Sequence, residues 1–250
     1  MYLVPRNLKT VVIESPYDTI HHPEVRDLFG RVVGLKILGY RNVYPYGVLP
    51  VDTYDYVATH FLICEETDNG LEPVTGYKSL SLKKSIKHQM TFQGIAVLES
   101  SGALHHIRAL KSFLEQCEQE NRSVCYGSSW TIHPKFRDTP ELRPLMRDVS
   151  VALLANSVMD QGVTDHIMCG TPKVKTDALL KTWGYEPMMA EGIELPYFYQ
   201  KSLMNEPAQM FVCKRFSDYA LDLAKKYREL WDSRLVYAPE LDQASAQKAA

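Results

Sequence analysis

The sequence predicts an α/β fold, a mixed and mostly antiparallel sheet flanked by helices, and three observations carry that expectation. Between Cys125 and Pro187 the apolar pattern passes from alternation to helical spacing and back, in the order strand, basic turn, long helix, strand, short helix. Upstream, two half-apolar runs at about 56–65 and 74–82 flank Asp68-Asn-Gly70, a hairpin signal. Before them, a helix opening at Pro23 sets Val25, Leu28, Phe29, Val32, Val33 and Ile37 along one side.

Each element follows in turn. Thr10 to Ile13 reads as a first strand, and the Pro23 helix tolerates Gly30 and Gly34 at some cost. After the hairpin, residues 83–122 form a long connection whose clearest feature is a helix over 104–121, with Ile107, Leu110, Leu114 and Cys117 aligned. We expect this connection to cover one end of the sheet. The strand at 126–134 ends at Pro134, and Pro144 suits the first turn of the long helix, where its missing N–H costs nothing. Leu145, Val149, Ala152, Leu153 and Met159 recur along that helix until Gly162, placed for a left-handed cap. A strand at 164–170 and a helix at about 173–183 follow, closing on Gly184-Tyr185, and residues 197–216 supply the last strands. Ser217 then caps a helix striped with Ala220, Leu223, Tyr227, Leu230 and Trp231. The expected organisation is one domain over 1–216, an added C-terminal amphipathic helix over 217–236, and an Ala-rich disordered tail over 237–250. Packing against the domain is the simplest use of that helix, and a lid or a homodimer contact are the others.

Composition removes several classes of function. A chain of 250 residues, 45% apolar, buries roughly three-quarters of its unfolded surface in a core. Its formal charge of -2 offers no basic footprint, so no nucleic-acid partner is expected. No apolar run approaches the roughly 20 residues that span a bilayer, and the first residues lack the pattern of a secretory signal. Five cysteines without a C-x-x-C pair fit reduced thiols, hence a cytoplasmic location. His21-His22 and His105-His106 lack the further ligand spacing of a zinc site, so no metal is expected. His60, on an apolar strand, reads as a hydrogen-bonded core histidine.

The 125–187 segment resembles the GCN5-related N-acetyltransferase (GNAT) superfamily, whose central motif has this order of elements. The resemblance implies that the strand before the turn splays from its neighbour and that its exposed backbone, here Trp130, Thr131 and Ile132, pairs with the pantetheine arm of an acyl donor. It further implies that the turn binds the donor's phosphate at a helix N-terminus, with Lys135, Arg137 and Arg143 as cations. Two departures stand out. At the turn's glycine positions Arg137 is followed by Pro140, which lacks an amide donor, and Leu142, which is bulky. Leu180 occupies the place of the tyrosine that often serves the family as general acid.

Asp52, Tyr54 and Asp55, ahead of a strand with His60 and Phe61, resemble the Glu-x-Asp-x-Tyr-Asp element of acyl-homoserine-lactone synthases and N-acyl amino acid synthases, with Pro50 in place of the Glu. Arg26 and Phe29 sit where that branch keeps an arginine and an aromatic residue near its acceptor and acyl sites, and Lys78 is the nearest cation to its missing strand arginine. What this implies is transfer of an acyl group from a thioester, on acyl carrier protein or coenzyme A, to the primary amine of an amino acid or related metabolite, with no permanently bound cofactor. Asp52 and Asp55 would position the amine or accept its proton, since an amine near pH 7 must lose one before attacking; their bland reading is as turn residues. His133, at the strand end, is the other candidate base. The alternative function is a non-catalytic module that binds an acyl or phosphopantetheine group.

Overall fold

The computed structural model describes residues 7–44 and 46–239, so the tail beyond 239 lies outside the described residues. The strands are β1 (Leu8–Glu14), β2 (Thr59–Thr67), β3 (Gly70–Ser81), β4 (Val124–Ile132), β5 (Asp165–Gly170), β6 (Glu186–Pro187), β7 (Met189–Ala190), β8 (Ile193–Glu194), β9 (Phe198–Gln200), β10 (Glu206–Cys213) and β11 (Leu235–Tyr237). The helices are α1 (Pro16–Thr19), α2 (Pro23–Arg41), α3 (Tyr54–Val57), α4 (Leu82–Lys87), α5 (Gln93–Ser100), α6 (Leu104–Gln119), α7 (Pro134–Arg137), α8 (Arg143–Asp160), α9 (Thr176–Thr182), α10 (Asp218–Lys226) and α11 (Arg228–Asp232). Among the described residues, no helix is long and apolar enough to cross a membrane.

The main sheet runs β11-β1-β2-β3-β4-β5-β10-β6, with β9 also against β10. Its neighbours are antiparallel except for β1–β11 and β4–β5, so the expected mixed, mostly antiparallel sheet is present. Alternation sorts the side chains into two layers, because successive residues of a strand face opposite ways. Val11 and Ile13 of β1 and Leu62 and Cys64 of β2 meet Val25, Leu28 and Val32 of α2. Their sequence neighbours Val12, Phe61 and Ile63 point to the other face, into the cluster built around α8.

Helix α8 is buried continuously from Val149 to Val158. A helix apolar on all sides needs neighbours on all sides, and this one has the sheet beneath it and α10 and α11 above. Its polar residues are all paired: Ser150 with Thr75 at 3.0 Å, Ser157 with the Tyr77 hydroxyl, and the Asn156 amide with Ala224 O at 3.0 Å. Met159, which the spacing puts on the apolar stripe, is exposed at the helix end. The 83–122 connection packs Phe92, Ile95, Leu98, Ile107 and Leu110 over Tyr126, Ile167 and Met210, covering the sheet face above β4, β5 and β10.

Two expectations need correction. Residues 54–57 form a helical turn, and the strand that follows starts only at Thr59. The single helix over 217–236 is instead α10 and α11, which meet at Tyr227, followed by β11. Ser217 does cap α10, accepting from Ala220 N at 3.3 Å. The break turns the chain so that Leu235 to Tyr237 reach the open edge of β1, whose backbone groups need partners. Asp160 at the end of α8 holds this segment, accepting from Trp231 Nε1 at 2.6 Å and from both terminal nitrogens of Arg228.

Candidate functional site

β4 and β5 pair in parallel only from Val124–Asp165 to Gly127–Met168. Beyond that point β4 stays with β3 but slips register: Lys78 opposes Ser128 and Gly76 opposes Thr131, leaving Ser129 and Trp130 together against Tyr77. Ser129 has φ 58, so this is a β-bulge, which bends its strand and sharpens the local twist. The two strands part there, as the resemblance implies. A cavity of about 470 Å³ fills the opening, walled by Ser128 to Ile132 of β4, Met168 and Cys169 of β5, Leu179 and Leu180 of α9, Trp183 and the end of α2. Helix α2 comes this close because residue 39 is glycine, since a Cβ there would lie 2.3 Å from Thr131 Cγ2.

The lining is mostly apolar, yet polar atoms around it lack protein partners. Trp130 Nε1, Trp183 Nε1, Thr171 Oγ1 and Arg137 Nη2 are buried without a hydrogen bond. Each such group costs about 1–3 kcal/mol unless something satisfies it.

The residues expected to hold a donor divide into two groups. Trp130, Thr131, Ile132 and Arg137 line the cavity, whereas Lys135, Arg143 and His133 are not among its walls. Residues 134–137 form a helical turn, in which successive side chains point about 100° apart. The cations therefore fan out instead of converging. Lys135 lies over the Phe136 ring, 3.7 Å from Glu65 on β2. Arg143 Nε donates to Arg137 O at 2.8 Å, bracing the turn. His133 caps α7, its Nδ1 accepting from Lys135 N at 3.1 Å, and burial together with the Lys135 cation lowers its pKa.

The expected acceptor residues form a cluster beside this cavity, centred on a buried lysine. Lys78 Nζ, from β3, reaches Asp52 Oδ1 at 2.6 Å and Asp55 Oδ2 at 2.8 Å. Asp55 also pairs with Lys36 of α2, and its Oδ2 accepts from Asp52 N at 2.9 Å. Burial by itself would raise the Asp55 pKa, but the Lys36 and Lys78 cations outweigh it and hold the carboxyl well below its ordinary value. Lys36 is lowered to about 8, burial outweighing the attraction of Asp55. His60 Nε2 donates to Asp55 O at 2.7 Å, and burial with the nearby lysines brings its pKa to about 3, so it stays neutral. Asp55 is thus ionised and fully engaged, poorly suited to take up a proton. Asp52 is the carboxylate open to a ligand, with its side chain 50% exposed against 2% for Asp55.

This cluster reaches the cavity through Gln93, whose Nε2 lies 3.5 Å from Asp52 Oδ2 and whose Oε1 accepts from Ser128 Oγ at 3.3 Å. Phe29 is buried behind it, its ring 5.3 Å from Tyr56 and 5.5 Å from His60. Arg26 is exposed on the first turn of α2, roughly 15 Å along the helix from Lys36 at 1.5 Å per residue. It does not join the cluster.

Lys36, Tyr40 and Gln93 are absent from the residues read off the sequence. Lys36 was detectable there: it falls four residues after Val32 and seven after Phe29, inside the apolar stripe of α2. A lysine in a buried stripe requires a buried anion. Gln93 and Tyr40 carry no comparable local signal.

No protein-family model matches the sequence, and no curated relative matches it. Similarity appears in three dimensions. FeeM, an N-acyl amino acid synthase from uncultured soil microbes, superposes with a TM-score of 0.52 at 12% identity, over 93% of this chain and 97% of its own. BjaI, a CoA-dependent acyl-homoserine lactone synthase solved with SAM and isopentyl-CoA, does so with a TM-score of 0.52 at 14% identity, over 97% of this chain and 100% of its own. Both likenesses are of fold, and they extend over nearly the whole chain.

Proposed function

We propose, from the premise that this chain has the GNAT fold of those two synthases, that it is an N-acyltransferase. It moves an acyl group from a thioester, on acyl carrier protein or coenzyme A, to the primary amine of an amino acid or related small metabolite. The single observation that carries this reading is the join between the splayed β4–β5 cavity and the Asp52–Lys78 cluster, made through Gln93 and Ser128. An extended thioester arm fits the cavity, with the free backbone edge of Trp130 to Ile132 beside it and Arg137 at its phosphate end. Asp52 meets the amine from the other side and takes its proton, while Asp55, Lys36 and Lys78 hold Asp52 in place. Attack is direct, with no covalent enzyme intermediate.

Of the two donors, the carrier-protein thioester is the better fit. A pyrophosphate needs several converging amides, but Pro140 has none, and those of Leu142 and Arg143 are spent on Thr139 O at 3.1 and 3.0 Å. A carrier-linked pantetheine brings one phosphate, and exposed Lys135, Arg143 and Arg147 suit an acidic carrier surface. The test is mass spectrometry of the purified protein incubated with a panel of acyl-carrier and acyl-CoA thioesters and amines. The expected product is an N-acyl amino acid or related amide, and absence of amide with every pair would sink the reading. Leu180, which lines the cavity without a proton to give, favours a second reading as a non-catalytic acyl-binding module. That one predicts retained thioester and no amide in the same assay.

A further inference from the structure

We propose that Tyr40 is a catalytic residue, its phenol hydroxyl donating a hydrogen bond to the carbonyl oxygen of the bound thioester as the amine attacks, an assignment that rests on the acyltransfer reading above. Tyr40 stands on the last turn of α2 and lines the cavity beside Ser128 and Ser129, where β4 bulges. Its place is set by Gly39, whose missing side chain lets the helix end rest on Thr131. The acceptor cluster reaches the same point, through Asp52, Gln93 and Ser128. A carbonyl carbon attacked by an amine held at Asp52 must lie where those two sides meet, and Tyr40 is the phenol at that junction.

The surroundings of Tyr40 favour a donor over a base. Burial first, then neighbouring Tyr44 and the Asp55 and Asp52 charges, push its pKa up to about 12 against the opposing hydrogen bond with Ser129, so the O–H is intact at neutral pH. Neighbouring Tyr44, its ring 6.3 Å away, carries Lys173 Nζ over that ring at 4.5 Å. Leu180 on the facing wall has no proton to offer.

The step balances as follows. The nitrogen lone pair forms the C–N bond, and the carbonyl π pair moves onto oxygen, where the Tyr40 O–H holds it. The ammonium gives one proton to water through Asp52 before it attacks, and once the C–N bond has formed the nitrogen gives a second by the same route, which leaves the amide N–H. The pair on oxygen returns, the C–S bond breaks, and its electrons leave with sulfur as a thiolate. A thiol of pKa about 8.5 is a good enough leaving group to need no full proton transfer from a phenol. Tyr40 keeps its proton throughout.

Tyr40→Phe retains the ring and removes the donor. Losing one donor to a developing oxyanion costs about 10²–10³-fold in kcat, so we expect kcat to fall by about 10²-fold while KM for donor and amine, and the Kd of an unreactive thioether analogue of the donor, stay within about twofold. Replacing Tyr40 with a fluorinated, more acidic tyrosine adds a second readout that packing would not move: kcat should fall at high pH as that phenol ionises, in a limb the wild type lacks. A Tyr40→Phe kcat within about threefold of wild type, or a fluorinated enzyme with the wild-type pH profile, would overturn the role. Wild-type turnover is measured first, so that absence of amide counts against acyl transfer itself, whereas an active Tyr40→Phe counts against Tyr40 alone.

Discussion

Replacing Asp55 with asparagine separates structural charge from chemical charge at this site. Among the described residues Asp55 is the only carboxylate paired with both Lys36 and Lys78, and all three side chains are at most 4% exposed. Asp55→Asn keeps the shape and leaves two buried ammonium groups sharing the half-exposed Asp52. Breaking a buried pair from one side costs about 3–5 kcal/mol. At about 2–4 °C per kcal/mol for a chain of this size, the melting temperature should drop by about 6–20 °C. The pH dependence has a definite sign. A lysine whose folded pKa lies below its ordinary 10.5 destabilises the fold at low pH, and the penalty lifts as pH rises from the folded value toward 10.5. In the wild type this relief begins at about 8. Without Asp55 the Lys36 pKa falls further, so relief begins lower and the stability gap between variant and wild type should narrow from pH 6 to pH 8. Adding Lys36→Met to the variant should restore part of the loss, since one orphaned cation is removed. Circular-dichroism melts at pH 6, 7 and 8 read all of this. A melting temperature within 2 °C of wild type at pH 6, or a gap that widens with pH, would refute the buried cluster as the source of stability.

The remaining predictions are briefer. Asp52→Asn should lower turnover by about 10²-fold, the scale of lost proton transfer, with a smaller drop in melting temperature than Asp55→Asn because Asp52 is half-exposed and buried Lys78 keeps its pair with Asp55; equal activity in a folded variant removes Asp52 from the chemistry. With one acyl chain, kcat/KM for the carrier-protein donor should exceed that for coenzyme A, and the advantage should shrink as salt screens the cationic turn. Arg137→Ala should weaken donor use by about 1–3 kcal/mol, as for one charge-assisted contact; better use of coenzyme A, indifferent to Arg137, would show that the turn does not discriminate in this way. Asp160→Ala should lower the melting temperature by about 2–4 °C through the lost Trp231 bond alone, and hydrogen exchange should quicken in α10, α11 and β11 first; uniform exchange across the fold would show that Asp160 does not anchor that segment.

What was legible in the sequence was whatever local spacing encodes. The β4–turn–α8–β5 order, the cap at Gly162 and the apolar stripe of α2 each lie within a single stretch of chain, and each stands where the pattern puts it. Pairing over long distances was not legible. Nothing in Leu235-Val-Tyr237 announces a strand, because three residues become one only when β1 supplies the partner. Direction was lost as well: Lys135, Arg137 and Arg143 are close in sequence, but a helical turn aims only Arg137 at the cavity. In the sequence Asp52 and Asp55 look like a matched pair, and the fold makes them unequal by burying one of them between two lysines.

The parallel seam between β1 and β11 has a bearing on biogenesis. Val11 pairs with Leu235, so one border of the sheet stays unzipped until nearly all of the described chain has left the ribosome. Until then β1 presents an unpaired row of amides and carbonyls to solvent or to any neighbouring nascent chain, the situation in which strands recruit strangers. Translation stalled before residue 235 would release a polypeptide with its cavity-forming elements already made and one flank still adhesive. Chaperone dependence of the newly made protein should therefore end with the synthesis of three residues that touch neither the cavity nor the charged cluster.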